Sequence, residues 1–411
     1  MEKKKLMILG AAANQVPIIT KARQMGFITI AVSVDGNYPG FAISDKSYKI
    51  DVREKEKILE IAGQENICGI LTDQTDISVP TVAYVAEKMG LPGIGYDCAL
   101  RFTNKFMMRQ HCEKIGIRMP EYYQSSSPEE AWKYAQRIGL PLILKPVDNQ
   151  GSRGVSKVIH FDEFRDKFFA AKGYSNEGFV IIEKFFSGRE IVVEGFASDF
   201  NFTNLIIGDS YNFDLPDMFI PRRRIFPTSL NDALKNKVLD LNRKMVKGLG
   251  LKFGITHAEF LVDEDSEEIC LMEVAARGGG VFISSDLIPL CCGIDVNDLL
   301  IRIAAGEKAS IDPDLMRERA SGYICFYLPE GKILGVHGIE DLNDIPGVHK
   351  VSLNNISAGA MAHKMKDKTQ RLGPILLSGR DRQAVQKTID QVQKTLRVEV
   401  ETSAGISGIQ W

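Results

Sequence analysis

The chain has 411 residues, more than one ordinary core accommodates, so two to four folding units are expected. Apolar residues make up 44% and charged residues 25%, the balance of a soluble globular protein, and a formal net charge of -2 gives no global attraction to a nucleic acid or a membrane surface. Seven cysteines, odd in number and scattered without CxxC pairs, argue against a disulfide framework or a zinc site and for a cytoplasmic location, and no apolar run approaches the roughly 18 residues that cross a bilayer.

The N-terminal stretch MEKKKLMILGAAA reads as a buried first strand rather than a secretory leader, because polar Asn14 and Gln15 end its apolar run early. Through residues 1–98, the strands LMILG, ITIAVS and GILT alternate with helical patterns over 16–25, 53–62 and 79–89. Such alternation predicts a Rossmann-like parallel sheet with helices on its faces. The first turn, GAAANQ, lacks the GxGxxG fingerprint of dinucleotide sites. TDQTD at 72–76 follows the carboxyl end of a strand, where ligands of such sheets bind, and is a candidate substrate edge.

Residues 99–182 read as a second unit, with a helix carrying NKFMMRQHCEKIG, a helix over 128–138 and the strands LPLILKPV and FVIIEKF. A third unit, 183–310, opens with the strand REIVVEGFAS and holds an amphipathic helix whose stripe is Leu234, Val238, Leu241, Met245 and Leu249, ended by Gly250. The last unit, 311–411, contains the short strands GYICFYL, KILGVHG and VHKVSL and a final helix with Val385, Ile389, Val392 and Leu396 on one face.

Four stretches carry chemistry. In LILKPVDNQGSRGVSKV, Lys145 sits in an apolar strand that runs into a loop with Gly151, Ser152, Gly154 and Val155. Backbone N–H groups of such a loop close around phosphate oxygens while the ammonium supplies a point charge; the plain alternative is an edge strand and turn. Lys105 upstream reads, on spacing alone, as a solvated lysine at a helix start. In FVIIEKFFSGREIVVEG, the segment between two strands is either a crossing that offers main-chain groups to an adenine edge, or a hairpin with Gly188 in its turn and Glu190 paired to Arg189 or solvent. GITHAEFLVD and ICLMEVAARGGG form a hairpin in which Glu259 and Glu273 can oppose each other. Facing carboxylates repel unless a cation such as magnesium lies between them, or unless one is paired with Arg277. Three successive glycines, 278–280, imply close backbone approach or positive φ. Finally, DMFIPRRRIFP at 217–227 places Arg222 and Arg224 on one side of an extended segment and Arg223 on the other, either as an anion clamp or as a solvated face.

Taken in order, the two lysines, the glycine loop, EKFFSGRE and the paired glutamates resemble the ATP-grasp superfamily over roughly residues 1–310. THAEF and EVAARGGG resemble its carboxylate–amine ligase branch, which includes L-amino-acid ligases and carnosine-synthase-like enzymes. The resemblance implies an α/β fold with α+β lobes: an N-terminal Rossmann-like domain at 1–98, a small lid subdomain at 99–182, a large catalytic subdomain at 183–310 and a C-terminal α+β region at 311–411. It further implies that Lys105 and Lys145 contact ATP phosphates under a lid at 149–156, that Glu183, Lys184 and Phe186 line the adenine slot, and that Glu190 meets the ribose. Glu259 and Glu273 would hold one or two Mg2+ ions, with Mn2+ able to substitute; many relatives have asparagine where this chain has Ala275, which leaves the number open. Arg277, with Lys145 and Glu273, would act on the reacting groups, and Arg222, Arg224, His257 and Gly279 would face the substrate. The implied reaction is ATP-dependent ligation of a small carboxylate to an amine through an acyl phosphate, without nucleic acid or membrane partners and with a homodimer as a family expectation. Carboxyphosphate chemistry like that of biotin carboxylase, and a non-catalytic ATP-binding module, are the competing readings.

Overall fold

The computed structural model describes residues 3–149, 151–199, 201–215, 218–353, 356–365 and 367–411. At the N-terminus, β1 (Lys5–Leu9), α1 (Val16–Gln24), β2 (Ile28–Ser33), β3 (Lys46–Lys49) and β4 (Gly69–Leu71) build a parallel sheet in the order β3-β2-β1-β4. Leu6 to Leu9 are wholly buried, as a strand covered on both faces requires. β3, read from KSYK, was not legible in the sequence, because it is a short, polar edge strand without an apolar alternation.

The next unit opens with α2 (Lys105–Lys114), where Asn104 accepts hydrogen bonds from the backbone N–H groups of Phe106 and Met107 and so fixes Lys105 at the first helical position. β5 (Tyr122–Ser125), α3 (Pro128–Ile138), β6 (Leu142–Pro146), β7 (Ser156–Val158) and β8 (Val180–Lys184) follow, with the strands ordered β5-β8-β6-β7. The boundaries of α3 are set by Ser127, which caps Glu130 N–H, by Pro128 at the first position and by Gly139 at positive φ after the end.

β9 (Arg189–Ser198), β10 (Asn201–Asn212), β11 (Pro221–Phe226), α4 (Asp232–Leu249), β12 (Gly254–Asp263) and β13 (Glu268–Ala275) supply most of the central sheet. Because β8 lies in the lid sheet and β9 in the central one, residues 185–188 cross between sheets, and the hairpin reading of EKFFSGRE is overturned. α4 buries Leu234, Val238, Met245, Val246 and Leu249, while Leu241 is only half-buried at the edge of the same core cluster.

Beyond it come β14 (Ala320–Phe326), β15 (Gly331–His337), β16 (Val348–Val351), β17 (Met361–Ala362), β18 (Leu372–Gly379), α5 (Arg382–Thr395), β19 (Arg397–Thr402) and β20 (Gly405–Ser407). The central sheet runs β13-β12-β9-β10-β11-β14-β18-β16, so three strands from the last hundred residues extend it; β17-β15-β19-β20 form a separate sheet. All seven cysteines are free thiols and six are buried, Cys291 and Cys292 among them. Among the described residues no helix is long and apolar enough to cross a membrane.

Candidate active site

A cavity of about 530 Å³ lies between the lid sheet and the central sheet, lined among others by Lys105, Lys145, Glu183, Glu190, Glu259 and Glu273. Its floor follows from strand alternation. On β9, Glu190 and Glu194 share a face. In register, His257 stands opposite Glu194, Glu259 opposite Val192 and Leu261 opposite Glu190, and across the next pair Glu259 stands opposite Glu273. The hairpin expected from GITHAEFLVD and ICLMEVA is therefore present with its two glutamates face to face.

Neither glutamate is paired with Arg277. Lys105 Nζ lies 2.7 Å from Glu273 Oε1 and also donates to the Asn149 carbonyl at 2.7 Å. Arg224 Nη2 lies 2.5 Å from Glu259 Oε1 and 3.2 Å from Glu190 Oε1, its Nε donates to Ser210 Oγ, and its Nη1 is 3.0 Å from His257 Nε2. Each carboxylate is thus balanced by a cation from a different element. Burial works against the charged form of Glu259, yet Arg224 and His257 hold it well below the ordinary carboxylate range; Glu190 is pushed up by burial and by Glu259.

His257 also touches Glu194 through Nδ1, and Glu194 Oε2 accepts from the Gly279 N–H at 3.0 Å. Although burial opposes it, Glu194 raises the His257 pKa. On the lid side, Glu183 is buried and receives Arg109 Nε at 2.8 Å and Lys145 Nζ at 2.6 Å. Burial would raise Glu183, but those two cations bring it down to about 2; burial lowers Lys145, with Glu183 acting in the opposite direction.

Several expectations are corrected. Glu190 is committed to Arg224 and to Asn212 Nδ2 at 3.1 Å, and it is not paired with Arg189, which turns to Asp209 and Glu264. Lys184 lines the cavity, and its ammonium bonds the carbonyls of Ile138, Gly139 and Leu140 at 3.1 to 3.2 Å, where it neutralises the carboxyl end of α3. Arg222 and Arg224 do share the cleft side while Arg223 turns to the Tyr211 ring, but Arg224 is occupied by the protein's own groups and only Arg222 lines the cavity. Asp217 of that segment and Gln150 of the lid lie outside the described residues. Gly151, Ser152, Val155, Lys184 and Phe186 line the cavity, whereas Gly154 backs onto Tyr174.

Arg277 and Gly279 belong to the loop after β13. Arg277 Nη2 reaches Asp76 Oδ2 at 2.7 Å; Gly278 N–H and Ser284 Oγ donate to Asp73 at 3.0 and 2.5 Å, and Phe282 N–H to Gln74 at 3.0 Å. Burial raises the Asp73 carboxyl to about 6. The TDQTD edge thus meets the glycine loop directly. None of the three glycines has positive φ; that conformation falls on Val281 and Phe282. Close approach explains two of them, and the approaching groups are the protein's own: a Cβ on Gly278 would stand 2.4 Å from the Ser284 Cβ and one on Gly279 2.6 Å from Glu194 Oε1, while Gly280 faces open space.

Four participants escaped the sequence reading as individual residues. Arg109 lies one helical turn from Lys105, so its i, i+4 spacing was the available signal, and Glu194 lies four residues from Glu190 on one strand face. Asp73 and Asp76 were signalled only as a segment.

Residues 138–286 match the ATP-grasp domain, and residues 324–401 match the L-amino acid ligase C-terminal domain 2. The chain carries an ATP-grasp domain and an L-amino acid ligase C-terminal domain, the composition of an ATP-dependent C–N ligase. This ATP-grasp ligase is 26% identical over 303 residues to the alanine–anticapsin ligase of Bacillus subtilis, across 67% of this chain and 62% of that protein, so it spans less than two thirds of that relative's length. It is 26% identical over 283 residues to the formate-dependent phosphoribosylglycinamide formyltransferase of Wolinella succinogenes, across 66% of this chain and 70% of that protein. The crystal structure of L-amino acid ligase from Bacillus licheniformis shares its fold, with a TM-score of 0.82 at 20% identity over 98% of this chain and 100% of that one.

The donor set fits magnesium. Two opposed carboxylates border a cavity large enough for a triphosphate, and Mg2+ takes few protein oxygens, filling its octahedron with phosphate and water. Ala275, opposite His257, offers no third oxygen, and no group of three acidic, histidine or cysteine ligands occurs among the described residues.

Proposed function

We propose that this ligase binds ATP in the cavity between the lid and central sheets and joins a small carboxylate, such as an amino acid, to an amine through an acyl phosphate. The observation that carries this reading is the convergence of Lys105, Lys145 and the in-register pair Glu259 and Glu273 on one cavity closed by the 151–155 loop. Lys105 and Lys145 meet the phosphates, Glu259 and Glu273 hold one Mg2+, and Arg222 contacts the carboxylate substrate. When bound, the ion supplies Lewis-acid neutralisation of phosphate oxygens.

A carboxylate oxygen attacks the γ-phosphorus in line, the bond to the β–γ bridging oxygen breaks, and ADP leaves. The amine nitrogen then attacks the acyl carbon, the carbon–oxygen bond to phosphate breaks, and the nitrogen gives up a proton as the amide forms. Arg277, held by Asp76, faces the charge that develops on the acyl oxygen. Closure of the glycine loop keeps water from the acyl phosphate.

The test is ADP release with Mg2+ and ATP across single amino acids, amino-acid pairs and other small carboxylates, with mass detection of products. Turnover that needs both a carboxylate and an amine, and disappears in Glu273→Gln, is expected. Bicarbonate-dependent ADP release without an amine-containing product would replace this reading with carboxyphosphate chemistry, and ATP binding without turnover on any pair would reduce the protein to a binding module.

A further inference from the structure

The region after residue 311 has no part in the chemistry described so far, yet one of its loops reaches the lid. Between β17 and β18 the chain returns to the central sheet: Met365 is buried in a small cluster with Phe213 and Ile220, Arg371 donates to the Pro221 carbonyl, and the Arg371 guanidinium stands over the Tyr323 ring at 5.7 Å. These contacts fix the loop on the β10–β11 connection. From that anchored position Lys368 extends to the lid, so closely that a Cβ on Gly151 would stand 2.2 Å from its Cε and 2.4 Å from its Nζ. Lid residues 151–155, Met218 to Ile220, and Asp367 and Lys368 enclose a second cleft of about 160 Å³ beside the first, with Gly151, Ser152, Arg153, Val155 and Phe219 shared by both.

The ammonium also lies in the field of the reacting centre. Lys368 is exposed as a whole residue; desolvation, then Arg277 and Arg371, lower its pKa to about 8, and Asp76 and Glu259 act the other way. A cation placed between the lid backbone and this set of charges is positioned to meet the anion that fills the site.

We propose that Lys368 is a positioning residue for the ligation: supplied by the C-terminal region, it seats the glycine lid at Gly151 over the reacting phosphoryl group and so keeps water from the acyl phosphate. The inference rests on the reaction proposed above and adds a part to it. Without the latch, water attacks the acyl carbon, the carboxylate is regenerated and phosphate is released, so ATP is hydrolysed with no amide formed.

The experiment uses the full chain with Lys368→Met, which keeps the length and removes the charge, and Lys368→Arg, which keeps the charge. Two readouts are taken: ADP released per amide formed, and tryptic cleavage after Arg153 in the lid with and without Mg2+ and a non-hydrolysable ATP analogue. Wild type is expected to release about one ADP per amide, Lys368→Met to raise that ratio roughly tenfold as one charge-assisted contact is lost, and Lys368→Arg to restore it to within about twofold. The analogue should slow cleavage after Arg153 in wild type and Lys368→Arg but not in Lys368→Met. Unchanged coupling and unchanged lid protection in Lys368→Met would overturn the proposal. If wild type makes no amide from any pair, the proposed reaction fails, while the proteolysis arm still decides whether Lys368 holds the lid.

Discussion

Asp76 and Arg277, 201 residues apart in the chain, meet through Oδ2 and Nη2 at 2.7 Å and tie the end of the N-terminal parallel sheet to the loop that follows β13. The Arg277 side chain is 12% exposed, its Nη1 donates to the Gly278 carbonyl at 3.1 Å, and its buried Nε–H has no acceptor among the described residues. A buried donor without a partner is costly in the resting protein. The acyl oxygen of the reaction gives that cost a purpose, because its charge appears only as the amine attacks. Asp76→Asn keeps the shape and removes the charge that orients the guanidinium. It is expected to lower kcat by about ten- to a hundredfold while the KM for ATP stays within about threefold, as measured by steady-state ADP release. A raised KM with kcat intact would move Asp76 from orientation to simple binding.

The glycine triplet gives a graded prediction, since its members differ in what surrounds them. A methyl on Gly279 collides with Glu194 and, at 2.9 Å, with His257 Nδ1, the groups that brace Glu259; a methyl on Gly280 meets nothing within 4 Å. Gly279→Ala should lose more than about tenfold in kcat/KM, whereas Gly280→Ala should stay within about twofold. Equal losses in the two variants would mean that flexibility of the loop, not close approach, explains the glycines.

Much of this arrangement was legible before any coordinates, and what was not has physical reasons. The opposition of Glu259 and Glu273 follows from a hairpin whose strands and turn are local in sequence, and α3 follows from Ser127, Pro128 and Gly139. Partners that come from distant elements were not legible: Lys105 for Glu273, Arg224 for Glu259, Asp76 for Arg277 and Lys145 for Glu183. Spacing specifies which face a side chain takes, but tertiary packing chooses which of several cations reaches it. The same limit applies to Lys184, which lines the cavity but whose ammonium is captured by the end of α3, a partner that spacing did not specify.

The buried group of Arg109, Glu183 and Lys145 carries a pH dependence. Glu183 is held at about 2 in the folded protein against an ordinary value near 4.3, so as pH falls the unfolded chain takes up its proton first. The stability that Glu183 contributes is therefore complete above the ordinary value and is lost as pH falls through that value toward 2. Glu183→Gln leaves two buried cations without their counter-charge and is expected to cost about 3–5 kcal/mol in the lid unit. Urea unfolding followed through Trp132, which packs against Phe161 and Phe164 in that unit, should show wild type weakening below about pH 4.3 and the variant weaker and flatter. Parallel pH profiles would assign the acid sensitivity to other carboxylates.

Metal removal should separate activity from stability. In a structural metal site the ligands repel one another when empty, and chelation unfolds the domain. Here Glu273 already has Lys105 and Glu259 already has Arg224 and His257, so the two opposed carboxylates are neutralised by the protein itself. Chelation with EDTA is accordingly expected to abolish ADP release while shifting the thermal midpoint by less than about 2 °C. Lys105→Met removes the cation that pairs with Glu273 and leaves it facing Glu259, whose own partners are Arg224 and His257, which makes the site depend on the ion for charge balance. In that variant Mg2+ should raise the midpoint by several degrees, roughly the effect of 1–2 kcal/mol, where it barely moves wild type. Thermal unfolding of both proteins with Mg2+ or with EDTA decides the point: a large EDTA shift in wild type would show that the side-chain cations do not suffice to hold the two glutamates together.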